Sequence, residues 1–160
     1  MEFRLAVIQD AEGITALINA AFRKAESFFI DQDRIDKESV QSLMVKGEFL
    51  ISQENGALRG CVYLERRGDR AYLGLLSVDP KVQKGGIGSA LMQAAEEHCA
   101  KSGCRFIDLR IVNLRTENHA FYSRRGYVET GTEPFPSELN PKLPCHFVNM
   151  VKALDQDRSD

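Results

Sequence analysis

A glycine-rich loop that leads into a helix constrains the fold of this chain more than any other stretch. The apolar run Leu73–Val78 predicts a buried strand, and Asp79-Pro80 ends it because proline cannot donate a hydrogen bond to a sheet. A polar loop with three glycines follows, and Gly103 is placed to end a helix whose apolar residues recur at helical spacing: Ile87, Leu91, Ala95 and Cys99. Unpaired amides at the start of such a helix favour an anion, most naturally a phosphate group.

Three phosphate-binding templates can be compared with this loop. A P-loop requires a lysine and then serine or threonine after its last glycine, but this loop ends Gly88-Ser89-Ala90. A dinucleotide-binding turn requires a third glycine where the chain has Leu91, although Asp108 lies at about the expected distance downstream. The pattern that remains is Gln-x-x-Gly-x-Gly, formed by Gln83, Gly86 and Gly88.

A second stretch, Thr116 to Tyr127, reads TENHAFYSRRGY and places Tyr122 four residues before Gly126. In this order and spacing, the glycine loop and the tyrosine segment resemble the GNAT acyltransferase superfamily, which binds acetyl-CoA, over about residues 2–153. The resemblance implies an α/β (α+β) fold. It has a mixed central sheet of about seven strands and about four helices, and the sheet is splayed between strands four and five.

Length and composition predict one domain. Of 160 residues, 43% are hydrophobic, enough for a single core, so residues 1–154 are predicted to form one domain and the polar tail 155–160 to fray. The net charge of −2 provides no basic face for nucleic acid, and no apolar run approaches the roughly 18 residues of a membrane span. With no secretion signal at its start, we expect a cytoplasmic monomer or homodimer.

The four cysteines are expected to be reduced, because their spacing matches no disulfide framework. Two of them form adjacent pairs with histidine, His98-Cys99 and Cys145-His146. Neighbouring residues of one helix or strand do not easily reach a single tetrahedral ion, so no metal site is expected.

The remaining pattern predicts how the sheet is built. A strand over 3–7 precedes a helix capped by Asp10, and Asn55-Gly56 joins strands over 49–53 and 58–65 in a tight hairpin. A further turn leads to the strand ending at Val78, and the strand over 105–112 must run parallel to it because a helix crosses between them. Thr116 is predicted to cap a short helix, and the last strands are expected over 127–131 and 147–151.

The resemblance also implies which residues hold acetyl-CoA. The pantetheine arm is expected to pair with the backbone of residues 76–78 between the splayed strands, and the loop amides are expected to surround the pyrophosphate. The implied residues are Leu76, Ser77, Val78, Gln83, Lys84, Gly85, Gly86, Ile87, Gly88 and Ser89, with Asn113 and Asn118 as further contacts. For Lys84, a solvated loop lysine is an equally good interpretation.

Two catalytic groups follow from the same resemblance. The backbone amide near Leu76 would stabilise the oxyanion, and Tyr122, whose hydroxyl is protonated at neutral pH, would give a proton to the departing thiolate. Amphipathic packing beside Phe121 is the alternative for Tyr122. Family members that acetylate peptide N-termini carry a glutamate base and an asparagine where this chain has Arg110 and Arg115. That difference argues against a peptide terminus as acceptor.

The general base stays open between a water molecule and two carboxylates, Glu65 and Asp108. The acceptor site is expected between residues 28–36 and the proline-rich loop 133–144, lined by Phe28, Phe29 and Phe135, although core packing by the first two explains them equally well. Acidic side chains in the same segments, Asp31, Asp33 and Glu133, suggest a cationic amine. The predicted function is transfer of acetyl from acetyl-CoA to a primary amine of a small acceptor; the alternative is a module that binds acyl-CoA without turnover.

Overall fold

The computed structural model describes residues 1–154, apart from the side chain of Lys84, so the predicted fraying of the tail lies outside the described residues. Its seven strands are β1 (Glu2–Leu5), β2 (Glu48–Glu54), β3 (Ala57–Arg67), β4 (Arg70–Val78), β5 (Phe106–Val112), β6 (Val128–Pro134) and β7 (His146–Ala153). The α-helices within this range are α1 (Ala11–Glu26), α2 (Lys37–Lys46), α3 (Ile87–Lys101) and α4 (Thr116–Arg124).

The strands form one mixed sheet in the order β1-β2-β3-β4-β5-β7-β6. Neighbours are antiparallel except β4 and β5, which are parallel because α3 carries the chain back across the sheet between them. Their pairing covers only Arg70–Tyr72 opposite Phe106–Asp108, and beyond these residues the two strands separate. The seven-stranded mixed sheet, its four helices and the splay between strands four and five are confirmed.

A bulge bends β4 where it leaves β5. The register with β3 shifts between Cys61 and Tyr63, and Leu75 has a φ of 57°, a left-handed conformation that leucine rarely adopts. The Ser77 hydroxyl donates a hydrogen bond of 3.0 Å to the Leu75 carbonyl and so holds the bulge from its far side. The last residues of β4 still pair with β3, but they do not continue the ladder with β5.

The helices cover the two faces of the sheet with separate apolar clusters. On one face, Ile14, Leu17 and Ile18 of α1 are buried and pack with Val40 of α2. On the other face α3 and α4 pack against the sheet through a second cluster, which includes Leu91, Met92, Ala95, Ile107 and Tyr122. Burial of each large side chain contributes about 1.5–3 kcal/mol, which is why amphipathic helices settle on these faces.

The turns form at the residues that the sequence predicts, but two of the predicted helix caps are wrong. Asn55 (φ 53°) and Gly56 (φ 80°) make the predicted hairpin turn, and Gly103 ends α3 with a φ of 95°. Asp10 precedes α1 without capping it, because its carboxylate accepts hydrogen bonds from Val7 N (2.7 Å) and from Arg4 instead.

Thr116 is not a cap either. It is the first residue of α4, and no side chain caps that helix. Among residues 1–154 no helix combines the length and apolarity needed to cross a bilayer.

Candidate active site

The glycine loop presents open backbone at the start of α3. A 3-10 turn over Pro80–Gly85 precedes it and is capped by Asp79, which accepts from Lys81 N (3.0 Å) and pairs with Arg59 (3.0 Å). Gly86 has a φ of 77°, and no side chain caps α3. A Cβ built on Gly85 or Gly86 would meet nothing within 4 Å, so free space lies in front of the loop. This open, uncapped helix start fits a phosphate group.

The loop, the end of β4 and α4 meet at Gly88. A Cβ placed there would lie 3.8 Å from Val78 Cγ2 and 3.9 Å from Phe121 Cζ. The Gln83 side-chain amide reaches the Val78 carbonyl at 3.4 Å. Residues 76–78 and 83–89, predicted to hold the cofactor, are therefore neighbours, and they border the gap that opens beyond Tyr72 on β4.

The amide oxygens of the two predicted asparagines already have partners. Asn113 Oδ1 accepts from His146 N at 2.8 Å and so fixes the start of β7 against the end of β5. Asn118 Oδ1 accepts from Arg115 Nη2 at 3.3 Å. Both side chains therefore stabilise the fold, whether or not they also contact the cofactor as the resemblance implies.

Tyr122 lies on α4 in the cluster beneath α3, with 6% of its surface exposed. Its ring contacts Phe121 and Tyr127, at centroid distances of 5.1 and 5.7 Å. Burial raises the pKa of the hydroxyl, while the Arg115 charge acts in the opposite direction, so the group stays protonated at neutral pH. Within the described part of the chain the hydroxyl makes no hydrogen bond, whereas the Tyr127 hydroxyl donates to Glu96 at 3.0 Å.

A cavity of about 690 Å³ lies on the opposite face, where β4 and β5 separate. Its apolar and aromatic walls come from the segment before α2, from α2 and from two strands: Ile35, Leu43, Tyr63, Tyr72 and Leu75. A second recess of about 700 Å³ is confined to residues 33–43 along α2 and does not reach the gap. The cavity at the gap is therefore the better candidate for an acceptor site.

Each carboxylate that lines the cavity has a basic partner. Glu65 accepts from the Tyr63 hydroxyl (2.7 Å) and from Arg67 (2.9 Å), and these contacts lower the pKa of its carboxyl. Asp108 receives two hydrogen bonds from Arg70, at 2.8 and 2.7 Å. Glu133 pairs with Arg110 at 3.0 Å. The lowered pKa weakens Glu65 as a general base, and both oxygens of Asp108 are occupied by Arg70.

The three phenylalanines predicted to bind the acceptor belong to a separate aromatic group outside the cavity walls. Phe29 is fully buried and contacts Phe28 and Phe135, at centroid distances of 4.9 and 6.5 Å. Lys142 N donates to the Phe29 carbonyl at 2.7 Å, which joins the segment after α1 to the proline-rich loop. The two segments expected to frame the acceptor site thus pack against each other, and Phe29 fits the core-packing alternative.

Two features of the site give no signal in the sequence. Glu26 and Arg115 form a buried pair at 2.8 Å across 89 positions, joining the end of α1 to the start of α4. Burial raises the pKa of the Glu26 carboxyl, and Arg115 opposes that rise. Arg34 is the second feature, since it lies in a stretch without periodicity and reaches the cavity. Both features depend on contacts between segments that are distant in the sequence.

Solved structures with the same architecture include two named N-acetyltransferases. The ribosomal-protein-S18-alanine N-acetyltransferase of Escherichia coli superposes with a TM-score of 0.80 at 15% identity, over 99% of this chain and 97% of that one. The PaiA N-acetyltransferase of Thermoplasma acidophilum, solved in complex with coenzyme A, gives 0.75 at 18% identity, over 95% and 98%. The chain thus has the fold of these acetyltransferases.

Sequence comparison gives the family itself. A sequence model described as the acetyltransferase (GNAT) family matches residues 12–127. The uncharacterized protein YdhI of Bacillus subtilis is 31% identical over 112 residues, which span 68% of this chain and 69% of YdhI. This protein belongs to the GNAT acetyltransferase family.

Proposed function

We propose that this protein is an N-acetyltransferase that moves the acetyl group of acetyl-CoA to the primary amine of a small acceptor by direct attack. The observation that carries the proposal is the gap between β4 and β5. The glycine loop and Tyr122 lie on one face of the sheet, and the cavity opens on the other. A donor and an acceptor that entered from opposite faces would meet at the gap.

Acetyl-CoA would be held by the loop amides and the free end of β4. The positive end of α3 and the open space at Gly85 and Gly86 suit the pyrophosphate, and the backbone of Leu76, Ser77 and Val78 has no partner strand on the β5 side. The predicted residues Gln83, Gly88 and Ser89 belong to the same loop and helix start, whereas Ile87, whose side chain is buried, can offer only its backbone. In this arrangement acetyl-CoA is a cosubstrate that supplies an activated acyl group.

The chemistry needs one nucleophile and one proton donor. The neutral amine attacks the thioester carbonyl carbon, a C–N bond forms, and the C–S bond breaks as the oxyanion collapses. A β4 amide near Leu76 stabilises the oxyanion, a role that typically contributes about 3–4 kcal/mol. The Tyr122 hydroxyl gives its proton to the sulfur as the thiolate leaves, and it recovers one from solvent. The ammonium proton of the product passes to water, because the nearby carboxylates are ion-paired.

Binding of acetyl-CoA is tested with two matched glycine variants. Gly86 and Gly56 both have positive φ, 77° and 80°, and open space at the Cβ position, so Gly86→Glu and Gly56→Glu introduce similar backbone strain. Only Gly86→Glu places a negative side chain in front of the loop. We expect acetyl-CoA to raise the Tm of the wild type and of Gly56→Glu but not of Gly86→Glu.

Failure of acetyl-CoA to shift the wild-type Tm at saturating concentration would refute the proposed donor. A shift without CoA release in the presence of a broad amine panel would instead identify the protein as an acyl-CoA-binding module. Parallel titrations with other acyl-CoA esters test whether the acyl group is longer than acetyl.

A further inference from the structure

Arg34 is a cation on the cavity wall without a carboxylate partner among residues 1–154. No ion pair within 4.0 Å and no side-chain hydrogen bond involves its guanidinium, which lies over the Phe22 ring at 5.5 Å from the centroid. Partial desolvation lowers the pKa of this guanidinium, but Arg remains charged at any physiological pH. Arg34 lines the cavity and also the adjoining recess along α2.

The backbone that carries Arg34 is fixed from α1. Asn19 Oδ1 accepts from Arg34 N (2.8 Å) and Ile35 N (3.0 Å), and Asn19 Nδ2 donates to the Ile35 carbonyl (2.8 Å). Three hydrogen bonds from one side chain hold an otherwise irregular segment in place. The backbone of Arg34 therefore has a defined position at the cavity wall, and its side chain extends from there over the Phe22 ring.

The other charges around the cavity leave Arg34 uncompensated. Arg67, Arg70 and Arg110 are paired with the lining carboxylates, and Lys46 acts electrostatically on Glu65. The carboxylate that acts most strongly on Arg34 is Glu26, which is hydrogen-bonded to Arg115 at 2.8 Å. Of the acidic side chains that suggested a cationic acceptor, Asp31 pairs with Lys142 and Asp33 with Arg23. Neither lines the cavity, although Asp33 lines the adjoining recess along α2.

We propose that the acceptor is an amine that also carries an anionic group, a carboxylate or a phosphonate, and that Arg34 binds this group. The inference rests on the proposed acetyl transfer and adds the substrate class. Arginine's planar fork matches both kinds of oxyanion by two parallel hydrogen bonds, which also fix orientation. Arg34 would hold the anionic end of such an acceptor on the α1–α2 side of the cavity. The amine at the other end would then point toward the gap.

Matched compounds isolate the anionic group. In the turnover arm, CoA release is measured with free L-amino acids, the corresponding L-amino acid amides, aminoalkylphosphonates and spermidine. The binding arm needs no turnover: N-acetyl-L-amino acids and their amides are titrated into the full chain in the presence of CoA. We expect the acids or the phosphonates to exceed the amides by about 10- to 100-fold, the usual effect of hydrogen bonds to a charged group. The preferred anion distinguishes a carboxylate from a phosphonate.

Three variants assign the preference to Arg34. Arg34→Gln is expected to reduce the acid-over-amide ratio to about 1, and Arg34→Lys, which keeps the charge but loses the fork, to an intermediate value. Arg23→Gln removes an exposed arginine outside the cavity walls and should leave the ratio unchanged. Acetyl-CoA affinity, measured on the same proteins, should stay constant, since Arg34 lies on the opposite side of the sheet from the glycine loop.

Each outcome separates the two proposals. Equal binding of acids and amides by the wild type, a preference for spermidine, or a preference that survives in Arg34→Gln would overturn the anionic acceptor even if acetyl transfer occurs. A clear acid or phosphonate preference in binding without any CoA release would support the anion site and count against the proposed catalysis.

Discussion

Replacement of Tyr122 by phenylalanine separates chemistry from packing at this site. The variant keeps the ring that contacts Phe121 and Tyr127, and among the described residues the lost hydroxyl has no hydrogen-bond partner. We expect the free energy of unfolding to change by less than about 1 kcal/mol, because no protein hydrogen bond is removed. General acid assistance contributes about 10²–10⁴ in rate, so kcat should fall by that factor, or about 3–5 kcal/mol in barrier height.

Tyr127→Phe provides the matched control. Its hydroxyl is buried and donates to the Glu96 carboxylate at 3.0 Å, and Glu96 keeps Lys152 at 2.9 Å after the change. Loss of a hydrogen bond to a charged acceptor costs about 1.5–3 kcal/mol, and the remaining lysine places the expected loss at the lower end. We expect Tyr127→Phe to unfold at lower urea concentration and to keep its kcat, the reverse of Tyr122→Phe.

The assay is CoA release at saturating acetyl-CoA and acceptor, with urea unfolding of the same preparations. A donor thiol of lower pKa should reduce the defect of Tyr122→Phe, since a better leaving group needs less protonation. Unchanged turnover in Tyr122→Phe would remove Tyr122 from the chemistry and leave water as the proton source. An equal fall of kcat in both variants would assign the effect to the packing of α4.

Three further predictions test the surroundings of the site. Phe29→Ala should destabilise the protein by about 3–5 kcal/mol in urea unfolding, because Phe29 is fully buried; a raised acceptor KM with unchanged stability would restore its role as a binding residue. With water as proton acceptor, kcat/KM should rise tenfold per pH unit up to the pKa of the acceptor amine, whereas a plateau set by an enzyme group would indicate a carboxylate base. The Arg4 contact lowers the pKa of the Asp10 carboxyl, so this contribution is complete above about pH 4 and is lost as pH falls through the lower folded-state pKa. Asp10→Asn should therefore destabilise the protein by about 1 kcal/mol at pH 7 and by less near pH 2, and an equal loss at both values would contradict the ion-pair explanation.

Sequence patterns within short stretches predicted the main elements of this fold. The positions of α3 and Gly103, the Asn55-Gly56 turn and the parallel pair depend on helical periodicity, on positive φ and on crossover handedness, all of which are properties of short stretches. The two wrong helix caps show where such reasoning stops. Asp10 had the right residue type, but Arg4, on the neighbouring strand, competes successfully for its carboxylate.

The cavity could not be predicted from local sequence pattern, because its walls come from seven separate segments of the chain. Arg34 has no periodic neighbours that mark it, and its position depends on Asn19, fifteen residues earlier on α1. Phe29 was equally ambiguous, since a buried aromatic and a pocket aromatic have the same sequence signature. Its full burial favours packing, and the acceptor contact stays a prediction.

The bulge at Leu75 lies between the two proposed ligand sites. A left-handed conformation costs a leucine about 1–2 kcal/mol, yet a regular β4 would continue pairing with β5 beyond Tyr72 and close the gap with backbone hydrogen bonds. The bend leaves the last residues of β4 without a partner on that side. Leu75 packs with the cluster on the cavity face, and Leu76 packs with the cluster on the glycine-loop face. These two adjacent residues therefore contact both sides of the sheet. The strained residue lies where donor and acceptor would meet, as expected if the strain is retained for function.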